Sequence, residues 1–358
     1  MMFGIDARAA VEEPAGRGRY VREVLRALAA RDDDHAYEMF ARARWDEPLD
    51  ERFTWRLIDS GDPIWHLRTA HTASSTVDAF LSTNSYLTAW FLRVPSVVVV
   101  YDLVAFRPEV QPRRSSGRIE RATIGLGVRR AHRLLCISHA TRNDLVARYP
   151  RGAAKSSVVP LAADTQFGRT VSEAELDDLR ERYSLSGQFV LCTGTLEPRK
   201  NLLRVLEAHA ALSKQVELVL VGPTGWEFEE ILERAARREN VRVLGHVSDE
   251  DLVGLYNACA VFCYPSLYEG FGLPLLEAMS AGAACITSSV SSLPEVGGDA
   301  VAYVDPTSVE EIRGALERLL GDPRERRRLG DRARIRAAEF SWDRTAAETL
   351  DALVAASR

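Results

Sequence analysis

Short runs of Val, Ile, Leu and Phe alternate along this chain with stretches whose apolar residues follow helical spacing. Runs such as Val97–Val100, Phe189–Cys192 and Leu218–Val221 are apolar at every position, so both faces of each strand must be covered. Strands buried on both faces and separated by helices specify parallel sheets with helices on either side. A first series of strands is expected at Met2–Ile5, Thr54–Ile58, Asp78–Leu81, Val97–Tyr101, Arg133–Ile137 and Ser157–Val159. A second is expected at Phe189–Thr193, Glu217–Val221, Val241–Leu244, Val261–Tyr264, Ala284–Thr287 and Val301–Val304.

Two series imply two Rossmann-like, doubly wound α/β domains, and 358 residues suit two domains better than one. The boundary is expected near Pro160–Asp164, giving an N-terminal domain over 1–163 and a C-terminal one over 164–340. Residues 341–358 form a last amphipathic helix with Leu350 and Leu353 on one face, and the preceding Pro323–Arg336 is expected as an exposed helix. No apolar stretch approaches the ~20 residues of a bilayer span, and no secretory signal precedes the first strand. Cys136, Cys192, Cys259, Cys263 and Cys285 fit no zinc spacing and read as reduced thiols of a cytoplasmic protein.

Charge is divided unevenly. Residues 1–165 carry a net +4 and residues 166–358 a net −9, together the chain's −5, which argues against a nucleic-acid partner. The window 107–133 holds eight arginines against Glu109 and Glu120. It reads first as a solvated helix face, and second as peripheral contact with an anionic surface, either a membrane's inner face or a phosphorylated acceptor.

Ligands of such folds bind beyond the carboxyl ends of the strands, so the loops there hold the chemistry. After Val261–Tyr264 comes Pro265-Ser266-Leu267-Tyr268-Glu269-Gly270-Phe271-Gly272-Leu273-Pro274-Leu275-Leu276-Glu277-Ala278-Met279. Two glycines allow close backbone approach, and proline in the first helical turn gives up no hydrogen bond. The helix start favours an anion, so Glu269 and Glu277 beside it suit hydroxyls, since a carboxylate accepts two hydrogen bonds from a vicinal diol. After Phe189–Thr193 comes Gly194-Thr195-Leu196-Glu197-Pro198-Arg199-Lys200-Asn201, with two cations and Asn201 as an expected helix cap. Fixed cations there would stabilise a departing diphosphate without a metal.

The fifteen-residue string resembles the E-x7-E signature of the family 4 glycosyltransferases, retaining enzymes of the GT-B fold. Thr193–Asn201 is similar to that family's Arg/Lys donor loop. Gly245-His246-Val247 resembles its base-contacting loop, and Gly16-Arg17-Gly18-Arg19-Tyr20 its first glycine loop. Ser291–Val296 and Phe340-Ser341-Trp342 match stretches usually structural there, and the last helix would cross back onto the N-terminal domain. The resemblance implies Arg199, Lys200, Glu269 and Asp102 as the catalytic set. It implies Gly16, Gly194, Val247, Gly270, Phe271, Gly272, Leu273 and Glu277 as donor-binding, with Glu269 on sugar hydroxyls and Glu277 on the ribose. The co-substrate would be a nucleotide-diphosphate sugar, with no further cofactor and no metal. The acceptor would be a glycan, a lipid-linked or a small molecule, bound by the N-terminal domain.

The N-terminal match is looser and leans toward the mannosyltransferase branch, while GDP-mannose-type and UDP-sugar donors both fit. Where many members carry His-Asp, this chain reads Tyr101-Asp102, and His66, His71 and His139 are the loop histidines that could substitute. Asp32-Asp33-Asp34 offers a metal-binding pattern but reads as a solvated turn. A nicotinamide dehydrogenase is disfavoured, because no strand runs into G-x-G-x-x-G with an acid ~20 residues on. An epimerase or phosphorylase of the same fold stays open, as does a nucleotide-binding partner subunit without turnover.

Overall fold

The computed structural model describes residues 1–13, 16–107, 110 and 116–358, the side chains of 116–119 excepted. The chain divides into one unit of Met1–Pro108, Arg113–Leu161 and Ser341–Arg358, and another of Glu109–Pro112 and Ala162–Phe340.

The first unit is built on seven parallel strands: β1 (Met2–Asp6), β2 (Ala36–Ala41), β3 (Phe53–Leu57), β4 (Ala79–Ser82), β5 (Ser96–Val100), β6 (Arg133–Cys136) and β7 (Ser156–Val158). Their order is β3-β2-β1-β4-β5-β6-β7, so the winding reverses between β1 and β4. The valine run of β5 is buried along its whole length, as an all-apolar central strand must be.

Strand β2 was not expected from the sequence, and Glu38 is the reason. A carboxylate in mid-strand breaks the apolar pattern, yet Glu38 is buried and receives Arg56 Nε at 2.9 Å and the Thr76 hydroxyl. The Asp triad before it is structural: Asp33 accepts from Arg52 at 3.1 Å and from the Tyr37 hydroxyl.

The glycine segment at 16–20 also differs from its expected form. The helix Arg17–Ala29 already contains Gly18, and only Gly16 stands outside it as the residue before the first turn, with φ +58°. Gly18 is fixed by crowding, since a Cβ there would lie 1.7 Å from the Glu13 carbonyl oxygen.

The helix Trp342–Ser357 packs against Arg17–Ala29, β4 and β5. Trp342, Ala346, Leu350 and Leu353 are buried, the Trp342 ring meets Tyr20 edge-on at 6.2 Å, and the Thr345 hydroxyl donates to the Pro160 carbonyl at 2.6 Å.

The second unit has six parallel strands: β8 (Phe189–Thr193), β9 (Glu217–Val221), β10 (Val241–Gly245), β11 (Val261–Tyr264), β12 (Cys285–Ser288) and β13 (Ala302–Val304). The order β10-β9-β8-β11-β12-β13 reverses between β8 and β11. Its core joins Val190, Leu218, Leu220, Cys263 and Ile286 from the sheet to Leu206 and Leu316 from the helices. All five cysteines are free thiols, four of them buried.

The helix Pro323–Ala337 corrects the expectation of an exposed one. Leu329, Gly330, Ala333 and Ala337 form a buried stripe of mostly small residues, and the backbone at Gly330 nearly touches Gly282 at the end of the helix Leu273–Ala281. No helix among the described residues is long and apolar enough to cross a membrane.

Candidate active site

The reversal between β8 and β11 brings two loops together in the second unit, and they carry the residues singled out above. After β8 the chain passes Gly194 at φ +119° and makes a short 3-10 turn, Pro198–Lys200. A side chain at 194 would be strained and would press its Cβ to 3.1 Å from Lys200 Cε, so glycine leaves the lysine stem its path.

Lys200 and Glu269 are both buried and joined directly, Nζ to Oε1, at 2.7 Å. Arg199 donates to the other oxygen of Glu269 at 2.6 Å and to the Tyr268 carbonyl at 3.1 Å. Its Nε donates to Glu197 at 2.8 Å. The Tyr264 hydroxyl, at the end of β11, accepts from Lys200 Nζ and donates to Glu269 Oε1 at 2.8 Å.

Electrostatics follow from this arrangement. Burial alone would push the Glu269 carboxyl up, but the charges of Arg199 and Lys200 overrule it and hold it at about 2. Burial, then the charge of Arg199, pulls the Lys200 ammonium below its ordinary value, and Glu269 offsets part of this. Two cations and two carboxylates thus form a charge-balanced cluster with a fixed hydrogen-bond pattern. Such a cluster can exchange partners with a ligand bearing both phosphate oxygens and hydroxyls.

Ser291 and Ser292 hold the glutamate loop in place. Ser291 Oγ accepts from the Glu269 amide at 3.0 Å, and the Ser292 hydroxyl donates to the carbonyls of Glu269 and Phe271 at 2.9 and 2.8 Å. Gly272, at φ +101°, then starts the helix Leu273–Ala281, with Pro274 in its first turn. Glu277 is buried one turn in and accepts from the Tyr256 hydroxyl at 3.3 Å, which also meets Thr193 Oγ1 at 3.0 Å.

Asn201 precedes the helix Leu202–Ala210 as expected but caps nothing with its side chain. It adopts φ +62°, and its amide donates to the carbonyls of Pro265 and Pro306 at 3.0 and 2.7 Å. It therefore ties the two active loops together rather than ending a helix. Val247 is buried just beyond β10.

Tyr264, Tyr256 and Glu197 went unnoticed in the sequence. The first two sit in apolar runs, where a tyrosine reads as core, and the pairing of Glu197 with Arg199 exists only because the turn folds the arginine back.

Gly16 and Asp102 belong to the first unit and are not among this group. Asp102 Oδ1 accepts from the Val104 amide at 2.9 Å, closing a short turn after β5. Burial pushes the Tyr101 hydroxyl well above its ordinary value, so it cannot serve as a base near neutrality. The three histidines expected in loops lie on helices, His66 and His71 in Ile64–Thr76 and His139 at the start of His139–Arg148. His66 is buried, with Nδ1 2.8 Å from Thr88 Oγ1 and Nε2 3.4 Å from Asp62, a structural setting. In the arginine-rich window, 113 and 114 lie outside the described residues, as does the side chain of 118. Arg107 pairs with Asp144 at 3.0 Å, and Arg130 donates to the Leu92 carbonyl at 3.2 Å.

Residues 179–336 match the family described as "Glycosyl transferases group 1", and residues 14–167 match "Glycosyltransferase Family 4". The chain is 33% identical to the O-antigen chain mannosyltransferase B of Escherichia coli, over 84% of its own length and 76% of that protein's. It is 36% identical to the MMP alpha-(1->4)-mannosyltransferase of Mycolicibacterium hassiacum over 61% of its length, which spans about half, 52%, of that relative. Its fold superposes on Anabaena HepE, solved in complex with UDP-glucose, with a TM-score of 0.79, 19% identity and coverage of 98% and 99% of the two chains.

Proposed function

Because this chain belongs to the family 4 glycosyltransferases, we propose that it transfers a mannosyl group from a nucleotide-diphosphate donor to an acceptor hydroxyl, retaining configuration and needing no metal. The names of its mannosyltransferase relatives support the sugar. The observation that carries the chemistry is the buried Lys200–Glu269 pair, joined by the half-buried Arg199, at the switch point of the second sheet.

Cleavage of the sugar–phosphate bond leaves a diphosphate, and two cations already held rigid stabilise that charge with little reorganisation. Arg199 presents a planar fork and Lys200 a point charge, so the two suit different phosphate oxygens. Glu269 accepts hydrogen bonds from the hydroxyls of the transferred sugar, and Glu277 from those of the ribose. The leaving phosphate takes the acceptor's proton on the same face, so no enzymic nucleophile is required. Lys200→Ala is expected to lower turnover by roughly 10²-fold, since an oxyanion-stabilising donor contributes about 3 kcal/mol. Undiminished turnover in that variant would remove Lys200 from the mechanism.

The test is thermal stabilisation by UDP, GDP, ADP and dTDP, followed by transfer from the matching mannosyl donor in the presence of chelator. A selective shift that Glu277→Ala abolishes, and an NMR spectrum of a product with retained configuration, support the reading. No shift with any nucleotide, inversion, or a strict Mn²⁺ requirement would overturn the part it addresses. Peripheral contact of the window 107–133 with an anionic cytoplasmic membrane face belongs to the same proposal. Flotation with anionic vesicles should vanish at high salt, and salt-insensitive flotation would exclude electrostatic docking.

A further inference from the structure

The first unit holds a cavity of about 530 Å³ at the carboxyl ends of β4 and β5, beside the reversal point of its sheet. Thr83, immediately after β4, and Tyr101, immediately after β5, line it together with Arg17, Asp62 and Glu120. Its charges are specific in their pairing. Asp62 is taken up by Arg8 and Arg42, at 3.2 and 2.8 Å. Arg17 donates to Asn84 Oδ1 at 3.3 Å and lies in the field of Glu120, Tyr101, Glu13 and Asp102, which together offset its burial. Glu120 differs from these: among the described residues no hydrogen bond reaches its carboxylate. Burial first, and then the neighbouring charge of Asp102, push its carboxyl up, against the pull of Arg17.

We propose that this cavity receives the uncharged, hydroxyl-rich end of a glycan acceptor, and that Glu120 selects it over a phosphorylated one by accepting hydrogen bonds from its hydroxyls. That the occupant is the acceptor rests on the glycosyltransferase reading above; its chemistry rests on the cavity. A carboxylate takes both hydrogen bonds of a vicinal diol, and doing so satisfies a half-buried group to which no described residue is hydrogen-bonded. A phosphate dianion would instead face Glu120, and Arg17, the one cation among the described lining residues, already lies in that carboxylate's field.

The position of Glu120 sharpens the contrast with composition. It lies on the helix Ser116–Arg130, inside the arginine-rich window. Arg107 and Arg130 of that window are engaged elsewhere, while the described side chains it contributes to the cavity are Glu120 and Thr123. Among the described residues, the charge that this window brings to the cavity is thus negative, despite its arginine content.

The experiment is saturation-transfer NMR on the full chain without donor, using methyl α-mannoside, α-mannobiose and mannose 6-phosphate as probes. Wild type should bind the neutral probes, and mannose 6-phosphate at least about tenfold more weakly, because its charge would face the Glu120 carboxylate. Glu120→Gln should narrow that gap and Glu120→Lys should close or invert it, with melting temperatures near wild type establishing that both fold. Equal or tighter binding of mannose 6-phosphate by wild type would overturn the proposal, as would no binding of the neutral probes or a gap unchanged in both variants. The readout needs neither nucleotide nor turnover, so a protein that binds these sugars but no nucleotide would sink the donor reading alone.

Discussion

Lys200 and Glu269 each solve the other's burial. A buried ammonium or carboxylate without a partner would be neutralised or expelled, and here each supplies the other's counter-charge at 2.7 Å. This has a consequence for acid stability whose sign is fixed. The Glu269 carboxyl sits at about 2 in the fold against 4.5 in an open chain. Its contribution is therefore complete above the open-chain value, and is lost as the pH falls toward the folded one. Glu269→Gln should be less stable than wild type near neutrality, and the gap should shrink as the pH falls from about 5 toward 2.5. Urea titrations of both proteins across that range measure it. A gap independent of pH would mean that the carboxylate's charge is not what stabilises the cluster.

At the scale of elements, the helix Leu273–Ala281 depends on the helix packed against its end. Gly330 of Pro323–Ala337 leaves room for the Gly282 carbonyl, which a Cβ would approach to 2.2 Å. A backbone carbonyl cannot rotate aside as a long side chain can, so Gly330→Ala should cost about 2 kcal/mol or more. If Glu277 holds the ribose as proposed, it should also weaken nucleotide binding, because the displaced helix carries Glu277. Gly314→Ala, exposed in the helix Val309–Gly321 with nothing within 4 Å, should be neutral or slightly stabilising. Equal melting temperatures for the two variants would disprove the contact.

The same scale shows what could be read beforehand. Strands β8, β9 and β11 lie where their apolar runs placed them, since double burial leaves little choice of side chain. Strand β2 was hidden by Glu38, whose partners Arg56 and Thr76 are distant in sequence. Arg199, Lys200, Glu269 and Glu277 could be picked out from loop chemistry and the family resemblance. That two serines pin the glutamate loop and that Asn201 bridges it to the cation loop could not, because each bond joins residues more than twenty positions apart.

For the molecule as a whole, the chain's last helix stabilises the unit in which the chain begins. Trp342–Ser357 buries Trp342, Leu350 and Leu353 against a unit whose remaining residues end at Leu161. Each such side chain contributes about 1.5–3 kcal/mol, a large share of the stability of a domain this size. Truncation after Phe340 should therefore strip hydrogen-exchange protection from the helix Arg17–Ala29 and from β4 and β5, on which the lost helix rests. Strands β8 to β12, with the separate core around Val190 and Leu316, should keep theirs. Peptide-resolved exchange on the truncated chain distinguishes the cases. Protection lost evenly across both sheets would show that the helix stabilises more than its own unit. Protection retained in β4 and β5 would show that its packing contributes little, despite the burial of Trp342.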